Sequence, residues 1–190
     1  MTKQKIVEYG DPILRRVTSR VIKFDKSLRK LVEDMFETMY AHDGIGLAAP
    51  QIGVSKRVLV LDVDYPSKRY IDEQTKKEVN SYDPLVLINP VIIQKEGEIV
   101  SREGCLSFPN VVIDVIRHKK IIVRYQDLLG KERKLAGDGD LLCRCIQHEI
   151  DHLDGKLFVD KPADVNEMKK ILGESGLGNV NSPPPAVLIG

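Results

Sequence analysis

Residues 147–152 read Gln147-His148-Glu149-Ile150-Asp151-His152. In a helix, His148 and His152 lie four residues apart, on one face and one turn above the other. Two imidazoles stacked in this way can hold one metal ion, and Glu149 projects close enough to act on a water held there. The chemistry needs that combination. A metal ion lowers the pKa of bound water from 15.7 to about 7, and a neighbouring carboxylate can take that proton and pass it to a leaving group. The pattern is short and recurs by chance on helices, so its weight depends on further ligands. A catalytic site of this kind wants three protein ligands and one open position.

The third ligand separates the possible classes. Metzincin proteases continue the pattern as His-x-x-Gly-x-x-His. Here the run is His152-Leu153-Asp154-Gly155-Lys156-Leu157-Phe158, and Phe158 stands where the third histidine would be. A glutamate on a following helix is the thermolysin-like solution, and Glu167 and Glu174 lie downstream. The remaining soft candidates are Cys105, Cys143 and Cys145. Cys145 precedes His148 by three residues and reads as a pocket wall, because reaching the same ion would need a distorted helix. Cys143 points elsewhere on the helix and reads as core. Cys105 lies in a non-helical segment from which a thiolate could approach from the opposite side, although a lone cysteine is more often a small buried hydrophobe.

The same cysteines bear on compartment. Three is an odd count, two are nearly adjacent, and the expectation is free thiols in a reducing, cytoplasmic setting. The N-terminal run Met1-Thr2-Lys3-Gln4-Lys5-Ile6-Val7-Glu8 has no apolar signal region, and no apolar run approaches the length of a membrane span. A net charge of +1 gives no whole-chain argument for nucleic acid or an anionic membrane. At 190 residues the chain is long enough for one domain with its own core.

Hydrophobic periodicity places the remaining elements. Asp25 or Ser27 caps a helix from about Leu28, with Leu28, Leu31, Val32, Met35 and Met39 on its buried face and its end before Asp43-Gly44. The run Gly44-Ile45-Gly46-Leu47-Ala48-Ala49-Pro50-Gln51-Ile52-Gly53 is too apolar for a surface loop and too rich in small residues for a helix. It reads as a tight, buried connection. Gln51 is the one amide in it, and a buried amide wants partners. Strands are expected at 57–64, at 85–93 with Pro90 marking an edge or bulge, at 98–102, 111–116 and 120–125, and at 131–135 after a turn at 127–130. Residues 65–83 read as an exposed excursion. Asp138 or Asp140 caps the helix 141–153, which stops near Gly155, and Pro162 opens a last helix to about Leu172, which Gly173 ends. The expected fold is α+β. Antiparallel β-sheets surround the central His-Glu-x-x-His helix, with one helix N-terminal and one C-terminal. Residues 1–178 form one catalytic domain, and 179–190 are a Pro-rich tail, extended or disordered.

Three segments in this order resemble the peptide deformylase family. They are Gly44-Ile45-Gly46-Leu47-Ala48-Ala49-Pro50-Gln51, Glu103-Gly104-Cys105-Leu106-Ser107 and Gln147-His148-Glu149-Ile150-Asp151-His152-Leu153-Asp154-Gly155. The third alone is weak, the three together are specific, and the resemblance runs from about Val7 to Leu172. It implies a metal held by Cys105, His148 and His152, natively Fe2+, with Zn2+, Ni2+ or Co2+ able to substitute. It implies hydrolysis of the formyl group from N-formylmethionyl nascent peptides, with the ribosome as a possible partner. Glu149 is then the proton carrier, and the Gln51 amide and the Leu106 backbone N–H are the oxyanion donors. Ile45, Gly46, Leu142 and Cys145 are expected to line the methionine pocket, Leu142 and Cys145 being read as sharing the His148 face. Glu103 is expected to orient neighbouring backbone or a group behind the ligands. After Pro109 the chain reads Asn110-Val111-Val112 and lacks an arginine that many members carry. The competing readings are a thermolysin-type peptidase using a glutamate ligand and a non-catalytic, metal-stabilised binding module.

Overall fold

The computed structural model describes residues 3–63, 69–71, 78–80 and 84–177. The first helix, α1 (Lys26–Tyr40), begins where the Asp25 carboxylate accepts from the Ser27 and Leu28 N–H groups at 3.0 and 3.1 Å. It buries Leu28, Val32, Met35 and Met39 at three- and four-residue spacing, while Leu31 sits at the edge of that face. Asp43 turns the chain at φ 54°, and the Gly44 N–H bonds back to the Met39 carbonyl at 2.9 Å.

Strand β1 (Gly46–Ala48) follows, then one 3-10 turn (Ala49–Ile52) ended by Gly53. The expected buried connection is therefore a short inner strand plus a turn. β2 (Val58–Leu61), β3 (Arg69–Ile71) and β4 (Glu78–Asn80) come next. The excursion expected over 65–83 falls mostly outside the described residues, apart from the pairing of β3 with β4.

Two long strands, β5 (Leu85–Cys105) and β6 (Phe108–Gln126), replace the four shorter ones expected. Register shifts at Ile88/Val91, Ile92/Gln94 and Gly104/Cys105 break the period-2 pattern while the pairing continues. The first shift contains Pro90, as its chemistry required. There the Arg57 guanidinium donates to the Pro90 carbonyl at 2.9 and 3.1 Å. β7 (Glu132–Asp138) completes an antiparallel sheet ordered β1-β2-β5-β6-β7.

The second helix, α2 (Leu141–Leu153), has the expected bounds, with Asp140 accepting from the Cys143 N–H at 2.7 Å. It lies against the sheet through Cys143, Ile146, Ile150 and Leu153, which meet Leu59, Leu61, Leu87, Ile121 and Val123. Gln147 ties it to β6, accepting from the His118 N–H and donating to the His118 carbonyl, both at 2.9 Å. The last helix, α3, runs Val165–Glu174 and is capped by Asp164, three residues later than a Pro162 start. The Asp164 carboxylate satisfies two N–H groups, whereas Pro162 is spent on a bridge to Val115, and Gly173 stays inside the helix. The architecture is α+β, with helices before and after the strands. Among the described residues no helix is long and apolar enough to cross a membrane. The Pro-rich tail lies outside the described residues.

Candidate metal centre and cleft

The β5–β6 turn and α2 meet below the Gly44–Gln51 segment. Cys105 ends β5 just before the two-residue turn Leu106-Ser107. The Cys105 thiol and the ring nitrogens of His148 and His152 offer three donor atoms within 4.8 Å of one another. The Cys105 Sγ to His152 Nε2 distance is 3.2 Å. His148 Nδ1 faces Glu103 Oε2 at 2.9 Å, which leaves its Nε2 for the shared centre. One soft thiolate and two imidazoles suit a divalent transition metal, and three donors are the set that leaves a coordination position open. Glu167 and Glu174 sit exposed on α3 and are not among the grouped donors. Cys143 is core, with its thiol 3.4 Å from the Lys119 carbonyl, and all three cysteines are free.

Behind His148 lies a buried ionic network. The Arg117 guanidinium, 2% exposed, donates from Nε to Glu103 Oε1 at 2.8 Å and from Nη2 to Glu103 Oε2 at 2.7 Å. Its Nη1 meets Asp151, whose carboxylate also accepts from Lys161 at 2.8 Å. Burial alone would raise the pKa of Glu103, but Arg117 and His148 hold it down at about 2. Glu103 is therefore a fixed anion that sets the tautomer and plane of His148. Sequence reasoning gave Glu103 an orienting role but overlooked Arg117. The signal was present: Val111, Ile113, Val115 and Arg117 alternate along β6, and all face inward. We expect Glu103→Gln to weaken metal retention by about 10–100-fold while the protein stays folded. Competition with a metal-binding dye would measure this, and unchanged retention would remove the orienting role.

Glu149 is 4% exposed, and burial pushes its carboxyl up to about 7. Its Oε2 has no hydrogen-bond partner among the described residues. The approach of β1 to α2 depends on Gly46. A Cβ there would lie 2.6 Å from both Glu149 Oε1 and Cys145 Sγ. Gln51, buried to 1%, accepts from the Ala48 N–H at 2.8 Å through Oε1. That bond fixes which end of the amide points inward. Nε2 lies 3.5 Å from Cys105 Sγ and 3.4 Å from Ser107 Oγ.

These groups open into a cavity of about 580 Å³. Gln51, Cys105, Leu106, His148 and Glu149 line it, as do Ile45, Gly46 and Cys145. Leu142 does not. It packs against the core between α2 and the sheet, and Leu141 takes the cavity position instead. The reason is helical phase. At 100° per residue, position 141 returns to within about 20° of His148, whereas 142 is about 120° away. His42 also lines the cavity, its Nδ1 held at 2.8 Å from the Thr38 carbonyl. Residues 99–105 of β5 pair with β6 on one side only, so the edge facing the cavity carries no strand among the described residues.

The polypeptide deformylase family model matches residues 3–170. Peptide deformylase 2 of Prochlorococcus marinus strain MIT 9313 is 44% identical over 176 residues, covering 92% of this chain and 81% of that protein. The peptide deformylase of Acidobacterium capsulatum is 47% identical over 159 residues, covering 84% and 86%. Among solved structures, a peptide deformylase from Synechococcus elongatus in complex with actinonin superposes with TM-score 0.79 at 40% identity, over 91% of this chain and 86% of that one. The Thermotoga maritima enzyme gives 0.75 at 38%, over 86% and 100%. With matches of this length and identity on both the sequence and the fold, the chain belongs to the polypeptide deformylase family.

Proposed function

We propose that this enzyme removes the formyl group from the N-terminal formylmethionine of newly made polypeptides and releases formate, with Cys105, His148 and His152 holding a divalent metal, natively Fe2+. Zn2+, Ni2+ or Co2+ would occupy the same donors. The observation that carries the reading is the convergence of three donors, one orphaned buried carboxylate and one oriented amide, with Gln51, Cys105, His148 and Glu149 all lining a single cavity. When bound, the metal supplies an ionisable water at neutral pH and polarises the formyl carbonyl.

The protein groups do the rest. Glu149, with a carboxyl near neutrality, accepts the proton of the attacking water and returns it to the departing amine. The Gln51 Nε2–H and the Leu106 backbone N–H stand where negative charge develops on the formyl oxygen. Ile45, Gly46, Leu141 and Cys145 receive the methionine side chain. The free β5 edge offers backbone groups to an extended peptide. Such a substrate exists on freshly made chains, so the reading places the reaction in the cytoplasm beside the ribosome.

The test is formate release from a formyl-Met tripeptide by protein prepared without oxygen and loaded with ferrous iron. Release from the formylated peptide is expected. Its absence from folded, loaded protein would defeat the reading. Gln51→Ala should lower kcat by about 10²–10³-fold, the usual effect of removing one oxyanion donor. Near-normal turnover in that variant would take Gln51 out of the mechanism.

A further inference from the structure

The face of α2 that carries the metal ligands opens outward only at its N-terminal end. His152, His148 and Cys145 are buried, at 1%, 8% and 7%, and Leu141 is 43% exposed. Arg144 lies one turn before His148 on this face and also lines the cavity. Arg102, three residues before Cys105 on β5, is exposed and lines the same cavity. Neither guanidinium has an ion-pair partner among the described residues. Arg144 Nε reaches only the Asp140 carbonyl, at 3.3 Å, while the Asp140 carboxylate is engaged by the Cys143 N–H. Arg102 is in register with Asp114, yet no ion pair joins them. Of the other carboxylates in the lining, Glu103 is neutralised by Arg117, Glu149 lies at the floor, and Asp43 alone is exposed.

We infer that Arg102 and Arg144 form an outer subsite for carboxylate groups, so that formylmethionyl chains with aspartate or glutamate at their third and fourth residues are preferred substrates. The inference rests on the deformylase reading. The distances set the positions. Arg144 is four helical residues from His148, about 6 Å, and Arg102 is three strand residues from Cys105, about 10 Å. An extended peptide advances about 3.3 Å per residue, so with the methionine at the metal these cations meet its third and fourth residues. Guanidinium is the suitable group, because its planar fork takes a carboxylate in two parallel hydrogen bonds. The attraction is the same before and during the reaction, so it acts through KM more than kcat.

The experiment compares kcat/KM for formyl-Met-Ala-Asp-Asp-amide, formyl-Met-Ala-Ala-Ala-amide and formyl-Met-Ala-Lys-Lys-amide with the iron-loaded enzyme. The aspartate peptide should exceed the alanine peptide by about three- to ten-fold, as expected for two partly exposed ion pairs, and the lysine peptide should fall below it. The preference should shrink with added salt. In the Arg102→Gln/Arg144→Gln protein the aspartate-to-lysine ratio should collapse towards one. Equal kcat/KM for all three amides would overturn the inference and leave the deformylase reading intact. So would a gain seen only with the free acid of formyl-Met-Ala-Ala, because the arginines would then read a chain terminus. Formate from none of the peptides would overturn both.

Discussion

Arg117→Met is expected to destabilise the protein by about 3–5 kcal/mol, the usual cost of removing one member of a buried ionic network. Among the described residues Arg117 is the largest fully buried side chain, and it stands between the Glu103 and Asp151 carboxylates. Methionine fills much of the volume but leaves Glu103 with only His148 and the Ser101 hydroxyl, and Asp151 with Lys161 alone. For a chain of this length the melting temperature should fall by on the order of 10 °C, read by thermal unfolding of the metal-free protein. A loss below about 1 kcal/mol would mean that water replaces the guanidinium. Adding Glu103→Gln and Asp151→Asn to Arg117→Met should recover part of the loss, because the unpaired charges go with the carboxylates.

The same network has a signature in acid. The pKa of Glu103 is depressed from 4.5 to about 2, so its contribution is fully present above about 4.5 and is lost as pH falls towards 2. Without Arg117 that dependence should flatten.

Glu149→Ala is expected to keep the metal and lose turnover by about 10²–10⁴-fold, the range for removal of a positioned general acid–base. Among the described residues the Glu149 carboxylate makes no bond that the fold needs: its Oε2 is buried without a partner, and its Oε1 faces Gly46. The small void left by truncation lies beside the cavity and can fill with water. Formate release and metal analysis on the same sample separate the two possible failures. Lost metal would make the defect structural, and retained turnover would remove Glu149 from the proton path. Gly46→Ala offers an independent check on the same carboxylate, since the added methyl can be accommodated only by moving Glu149 or Cys145.

Much of this was legible before any coordinates. Asp140 and Gly155 bracket α2, and Asp25 with the apolar spacing 28, 32, 35, 39 sets α1, because caps and helical periodicity are local physics. The histidine pair and Glu149 follow from the same helical repeat. Leu142 was assigned to the wrong face of that helix, although the repeat itself points to Leu141. The strand expected to end at residue 93 runs on, because the shift at Ile92/Gln94 interrupts the alternation that marks a strand while the hydrogen bonding across it continues.

Local sequence patterns set the helices, the inward face of β6 and the residue types of the site. Long-range packing sets which groups meet. Cys105 reaches His152 only because the β5–β6 turn folds under α2, and His148 finds Glu103 only through the strand register that also delivers Arg117. Caps and periodicity act between residues a few positions apart, so they are written along the chain. A metal cluster, a buried ion network and a cleft join residues far apart in sequence, and their geometry exists only once the core has closed around them.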